Sequence, residues 1–338
     1  MQRTLGFLAG AALVVAALAG CGKGTIIDGN TAAPTPTPVV PHTTSEYTIP
    51  TAASGPAGIA KGSDGSLWFT ETSANKIGRL DQTAAFAEFT LPTAASHPIG
   101  IVSGPDGNLW FVENSGNNIG KINLNGSLIV EYPIPTVVAG AQFLAVGADG
   151  NLWFTESSAN KIGRITTAGA VTEFAIPTAA AGATGITAGP DGALWFSESA
   201  ASKIGRITTA GAITEYATTT PNAQPYPIVA GADGALWFVE SGAIKLGRIL
   251  TTGVVTNEYA LTGAQAGLRG LVLGADNNFY FTDTVGNNIG QFVPSTTAVR
   301  LSAVPTASSA PSSLAIGPDL RIYYTENGTN KIGQFQYF

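Results

Sequence analysis

Seven acidic residues recur at one place in a repeated phrase: Glu71, Glu113, Glu156, Glu198, Glu240, Asp283 and Glu326 each close a run of the Leu-Trp-Phe type. A repeat can put such carboxylates to two uses. Converging on one axis, they offer the hard oxygen ligands that Mg²⁺ or Ca²⁺ takes. Spread apart, they serve as ion-pair or backbone hydrogen-bond partners between strands. A Lys or Arg follows within eight residues in six of the seven copies, as Lys76 and Arg79 follow Glu71. Asp283 has no such neighbour and is expected to be free, which makes it the candidate metal ligand that the spacing itself offers.

A second set varies where the first recurs. Seven positions before the Asp that opens each phrase stand Ala57, Ile99, Gln142, Thr184, Tyr226, Arg269 and Ser312, no two alike. A repeat keeps what its packing needs, so a position that differs in every copy can carry a ligand surface, or can drift in a water-filled channel. Arg269 and Tyr226 lead this set, because a guanidinium fork and a phenol make directed bonds. Gln142, Thr184 and Ser312 complete the candidate ligand-binding residues.

The elements that must position these residues follow from the period. The opening Asp stands at Asp64, Asp106, Asp149, Asp191, Asp233, Asp276 and Asp319, in steps of 42, 43, 42, 42, 43 and 43 residues. Self-similarity at this spacing marks a propeller or a solenoid. The third unit reads as four short runs, at 143–146, 152–156, 161–166 and 171–176. Each is rich in β-branched and aromatic residues and bounded by Gly, Pro, Asn or Asp, and none sustains a helical period. Gly-Ala-Asp-Gly and Gly-Pro-Asp-Gly supply the positive-φ positions of tight hairpins. The predicted fold is all-β, a seven-bladed β-propeller of four-stranded antiparallel blades over 45–338. Trp68, Trp110, Trp153, Trp195 and Trp237, with Tyr280 and Tyr323 in the same place, read as packing between blades rather than a ligand platform.

The last unit stops after its third run, 331–336, while Glu46-Tyr47-Thr48-Ile49-Pro50 matches the fourth run of the other units, such as 88–92, 131–135, 173–177 and 215–217. The N-terminal strand is therefore expected to complete the C-terminal blade and remove the open edges of the array.

Before the propeller, Met1-Gln2-Arg3-Thr4 carries a positive charge, 5–17 is a short apolar run, and Leu18-Ala19-Gly20-Cys21 follows. The run is too short for a membrane span and reads as a secretory signal, 1–20. Its end resembles a bacterial lipobox, which implies acylation of Cys21, the single cysteine of the chain. Pro34, Pro36, Pro38 and Pro41 punctuate 21–44, as in a stiff solvated tether. The expected location is extracytoplasmic, lipid-anchored to a bacterial cell envelope. Charged residues make up 11% of the chain and the net charge is −6, which leaves no footprint for nucleic acid. No basic cluster faces anionic lipid, so membrane contact is expected through the anchor alone, and the protein is expected to be a monomer.

The phrases Gly-Pro-Asp-Gly-x-Leu-Trp-Phe-Thr-Glu, Asn-Lys-Ile-Gly-Arg-Ile and Glu-Phe-x-Ile-Pro-Thr resemble the repeats of the virginiamycin B lyase, or streptogramin lyase, family over 45–338. The resemblance implies a seven-bladed propeller and a magnesium-dependent elimination that opens the ester of a cyclic depsipeptide antibiotic without water. It also implies site positions: a catalytic His within Glu-Pro-His-Gly-Ile of the last blade, whose Glu binds the metal together with the Glu ending the next Trp-type run. This chain reads Ala310-Pro311-Ser312-Ser313-Leu314 there, followed by Glu326. Ser312 thus stands in place of the base, Ala310 in place of the first metal ligand, and Arg269 in place of a substrate-binding His of the preceding blade. A Ser hydroxyl is a poor proton acceptor near neutral pH, whereas an imidazole suits that task. The expectation is a binding propeller that takes a small molecule, a glycan or a protein at its central face. The alternative is an enzyme, either a lyase whose base has moved to Tyr226 or His97, or a lactonase-like hydrolase using the carboxylate ring.

Overall fold

The computed structural model describes residues 44–336. The signal segment, Cys21 and all of the tether but Thr44 lie outside the described residues. Within them, 28 strands form seven four-stranded antiparallel sheets. Blade 3 consists of Ala141–Val146, Leu152–Glu156, Lys161–Ile165 and Val171–Ala175, paired in that order. The first strand of each blade touches the first strand of the next, and these contacts continue from blade 7 back to blade 1. The chain is a closed seven-bladed β-propeller.

Strand geometry explains the Leu-Trp-Phe run. Successive side chains point to opposite faces of a sheet, and each blade is covered on both faces by its neighbours, so all five residues of every second strand are buried. Trp68 packs toward blade 2 against Leu109 and Phe111, whereas Phe69 packs toward blade 7 against Ala315 and Tyr323. The core is accordingly a ring of seven inter-blade clusters. The repeated Asp anchors the repeated aromatic: Trp110 Nε1 donates to Asp106 Oδ1 at 3.0 Å, and Tyr280 keeps the arrangement with its hydroxyl, 2.8 Å from Asp276 Oδ2. On the fourth-strand side Trp153 stacks on Phe174, with ring centroids 5.5 Å apart. Gly163, of the Lys-Ile-Gly-Arg phrase, pairs with Phe154 and lies under its ring, where a Cβ would overlap the ring atoms.

The N-terminal strand Thr44–Thr48 pairs antiparallel with Lys331–Phe335 and completes blade 7. Its Glu46 accepts hydrogen bonds from Thr306 N at 2.9 Å and from Lys331 Nζ at 2.6 Å. Glu88 does the same in blade 1, with Thr51 N at 3.0 Å and Lys76 Nζ at 3.4 Å. The fourth strands of blades 1, 2 and 7 lie two residues nearer the N-terminus than their sequence runs, for example Phe86–Thr90 instead of 88–92. The reason is the Pro of Leu-Pro-Thr or Ile-Pro-Thr, which has no N–H for the ladder. The Thr after it leaves the sheet and clamps the fourth-strand Glu of the following blade.

Candidate functional site

Every first strand breaks register with its second strand. In blade 1 the pairing jumps from Pro56↔Glu71 to Ile59↔Phe69, which leaves Ala57 and Gly58 as a bulge, and the break recurs in all seven blades. The same bulge is why the first strand of blade 3 begins at Ala141, ahead of its sequence run. A bulge re-aims a side chain, and its first residue is the position that varies in every copy. Ala57, Ile99, Gln142, Tyr226, Arg269 and Ser312 all line one central cavity of about 220 Å³, with Phe143 and Ser313 among the other walls. Thr184 is not brought there. It is buried, its hydroxyl lies 3.0 Å from Ser197 Oγ and it donates to the Pro225 carbonyl at 3.4 Å.

Hydroxyl clips hold the bulges in place. Thr70 Oγ1 accepts from Gly58 N at 2.8 Å and donates to the Ile99 carbonyl of the next blade at 2.7 Å. Thr282 joins Gly270 N to the Ser312 carbonyl, both at 2.8 Å, and Thr325 joins Ser313 N at 3.0 Å to the Ala57 carbonyl at 2.8 Å. Ser197 donates to the Tyr226 carbonyl. The backbone under the cavity residues is thus tied from blade to blade.

The charge in the cavity is one-sided. Arg269 is exposed, and among the described residues no carboxylate lies within ion-pair distance of it. No Asp or Glu lines the cavity. The Tyr226 ring meets Phe143 edge to face, with centroids 5.6 Å apart at 86°. Burial pushes the Tyr226 phenol above its ordinary range, opposed by the Arg269 guanidinium beside it. The phenol is therefore a hydrogen-bond donor at neutral pH rather than a base. Two clefts continue outward. One, with Ser115, Val138 and Ser158, shares Gln142 with the cavity, and the other, with Gln224, Ser241 and Gly267, shares Tyr226 and Arg269. His97 does not line the central cavity; its Nδ1 lies 2.7 Å from Ser115 Oγ, where both side chains are exposed.

The acidic repeat behaves otherwise than its neighbours in sequence suggest. Glu71, Glu113, Glu156, Glu198, Glu240, Asp283 and Glu326 are all fully buried. In five blades the Lys that follows pairs instead with the fourth-strand Glu, as Lys161 does with Glu173 at 2.8 Å, and in blade 2 Lys121 pairs with Asp106. Neither carboxyl oxygen of Glu156 or Glu198 accepts a hydrogen bond from an N–H or hydroxyl donor. Each faces the fourth-strand Glu, and two adjacent carboxyls hold one proton between them. Burial first, then the charge of Glu88, pushes Glu71 up to about 7, and burial with Glu173 pushes Glu156 up to about 8. Burial acts on Glu88 and Glu173 as well, but hydrogen bonds from Thr51 and Thr136 and the adjacent lysines outweigh it and hold both below the ordinary carboxylate value. Of each pair the inner acid keeps its proton to the higher pH and the outer one ionises first. The recurring Glu of the fourth run was the available signal for this pairing.

Asp283 is not free. Its Oδ1 accepts from Gln265 N at 3.2 Å and Gly286 N at 2.9 Å, and its Oδ2 from Asn288 Nδ2 at 3.0 Å. Glu326 accepts from Thr329 Oγ1 at 2.6 Å, and burial pushes it up to about 7. Among the described residues, no three His, Cys, Asp or Glu side chains group closely enough to hold a metal ion. A magnesium site of the kind the resemblance implies does not fit these residues, because one ligand position is Ala310, which has no donor side chain, and Glu326 is grouped with no two further His, Cys, Asp or Glu side chains among the described residues.

A sequence model of the Virginiamycin B lyase family matches residues 38–263 and 228–337. The chain belongs to this family. A streptogramin B lyase structure is 34% identical, with a TM-score of 0.83, over 87% of this chain and 97% of that one. Virginiamycin B lyase from Staphylococcus aureus is 33% identical, with a TM-score of 0.83, over 88% of this chain and 100% of that one. A catalytically inactive His-to-Ala variant of the Staphylococcus aureus enzyme, solved with quinupristin, is 32% identical over the same shares with a TM-score of 0.83. Within the Virginiamycin B lyase family, then, this chain keeps the propeller of the solved lyases.

Proposed function

We propose that this member of the Virginiamycin B lyase family is a lipid-anchored, extracytoplasmic binding protein of the bacterial cell envelope, monomeric, with its ligand at the central cavity. The observation that carries the reading is the cavity lining. Ile99, Gln142, Tyr226, Arg269 and Ser312 offer hydrogen-bond donors, one cation and apolar walls, with no imidazole and no carboxylate. Such a surface recognises; it has no group suited to take a proton near neutral pH. The ligand is a small molecule or the part of a glycan or protein that enters the cavity, nucleic acid is not a partner, and the membrane is met through acylated Cys21. Fractionation tests the anchor: Cys21→Ser is expected to move the protein from the membrane to the soluble fraction, and unchanged membrane retention would overturn it.

A second reading, as an enzyme, is favoured by one contact. His97 and Ser115 form a hydrogen-bonded base and hydroxyl 2.7 Å apart beside the cleft that shares Gln142, the pairing an activated nucleophile needs. Incubation with a cyclic depsipeptide separates the readings by mass and chromatography. Elimination gives a linear product of unchanged mass, hydrolysis adds one water, and the binding protein leaves the ring closed.

A further inference from the structure

The central cavity has a polarity that narrows the class of ligand, and this step rests on the reading of the cavity as a binding site. Its only ionic group is Arg269, exposed and without a carboxylate partner among the described residues. A guanidinium left unpaired in a recess favours a planar anion, which it holds by a bidentate charge-assisted fork. The Tyr226 hydroxyl lies against the same guanidinium and carries its proton at neutral pH, so it adds a neutral donor. Gln142, Ser312 and Ser313 contribute further polar groups, while Ile99 and Phe143 form an apolar wall. Phe143 is already edge-on to Tyr226, a geometry that one more aromatic ring can extend. The cavity of about 220 Å³ equals the volume of roughly seven liquid waters, which is room for a ring or a branched aliphatic group and a small polar head. One cation matches one negative charge, so a carboxylate balances the site and a phosphate dianion would not.

We propose that the central cavity binds a monocarboxylate with an apolar or aromatic body, the carboxylate on Arg269 and Tyr226 and the body against Ile99 and Phe143. Two sources share this chemistry, a free aromatic acid and the C-terminal residue of a peptide chain. The cleft that shares Arg269 and Tyr226 with the cavity gives the rest of a peptide a way out.

The test is calorimetric titration of the full chain with N-acetyl-L-phenylalanine, its uncharged primary amide, and phenylacetate. The acid is expected to bind about tenfold or more tightly than the amide, the size of a charge-assisted hydrogen bond, with the preference shrinking as salt rises. Arg269→Gln is expected to bring acid and amide to equal affinity at unchanged thermal stability, and Tyr226→Phe to weaken the acid by a few-fold. Phenylacetate binding as well as the acetylated amino acid assigns a free acid; its failure beside a binding acetylated amino acid assigns a peptide terminus. Equal affinity for acid and amide in the unmodified protein, undisturbed by Arg269→Gln, overturns the carboxylate assignment and leaves the cavity a neutral binding site. Heat from none of the probes at millimolar concentration overturns the binding site itself, and the assignment with it.

Discussion

Burial, and then the charge of Glu173, pushes the Glu156 carboxyl from 4.5 up to about 8. The folded chain therefore keeps a proton that the unfolded chain releases over that interval, and the sign of the linkage follows. The stabilising contribution is complete below the unfolded value and is lost as pH rises through the folded one. Glu198 repeats the arrangement at about 8, and Glu71, Glu113 and Glu240 at about 7. Above these values each of these five blades must either ionise a second carboxyl beside a first or open. The urea midpoint is expected to fall between about pH 6 and about pH 9. Glu156→Gln, which cannot ionise, should shrink that fall, and a variant whose midpoints parallel the parent at both pH values would refute the shared proton in blade 3.

A first strand with a bulge is a weak element by itself, because its ladder is interrupted where the cavity residues sit. The second strand compensates with the hydroxyl that precedes its acid. Thr70 accepts from Gly58 N and donates to the Ile99 carbonyl, so Thr70→Val leaves one half-buried donor and one half-buried acceptor without a partner. The expected loss is about 1–3 kcal/mol, read from denaturant unfolding at constant m. Blades 2 and 5 carry Val112 and Val239 at this position, so the fold tolerates the change and the variant should remain a propeller. A loss within measurement error would mean that the bulges are held by packing alone. This element was half legible. The variable position could be found by aligning the copies, and its inward aim was expected from the fold. Thr184 shows the limit: the same position in blade 4 turns its hydroxyl to Ser197 instead of the cavity, a local choice between two acceptors that spacing cannot register.

At the scale of the whole molecule, stability rests on seven equivalent interfaces, and one of them joins the two ends of the chain. Each blade can bury its faces only when both neighbours are present. Deleting the strand Thr44–Thr48 together with the residues before it removes the Glu46 clamp on Lys331 and Thr306 and bares the edge of Lys331–Phe335. The expected outcome is a lower unfolding temperature and self-association on size-exclusion chromatography. Retention of a monomer with the parental unfolding temperature would show that the ring closes without this strand.

The sequence by itself determined the number of blades, the strands in each, the aromatic core and the joining of the ends. Those properties are written once per unit, and a repeat makes every copy confirm the others. It also picked out Ala57, Ile99, Gln142, Tyr226, Arg269 and Ser312 of the cavity, though not the turning away of Thr184, because positions that escape the repeat stand out against it. What only the tertiary structure decided is which groups are charged and which face one another. In sequence Glu156 stands five residues from Lys161 and seventeen from Glu173, yet the lysine pairs with Glu173 and leaves Glu156 buried and neutral. Protonation follows burial and neighbours across strands, quantities that exist only once the blades are packed. Arg269 in the cavity is the same lesson with the opposite outcome, since its lack of a carboxylate partner among the described residues is a fact of three-dimensional packing.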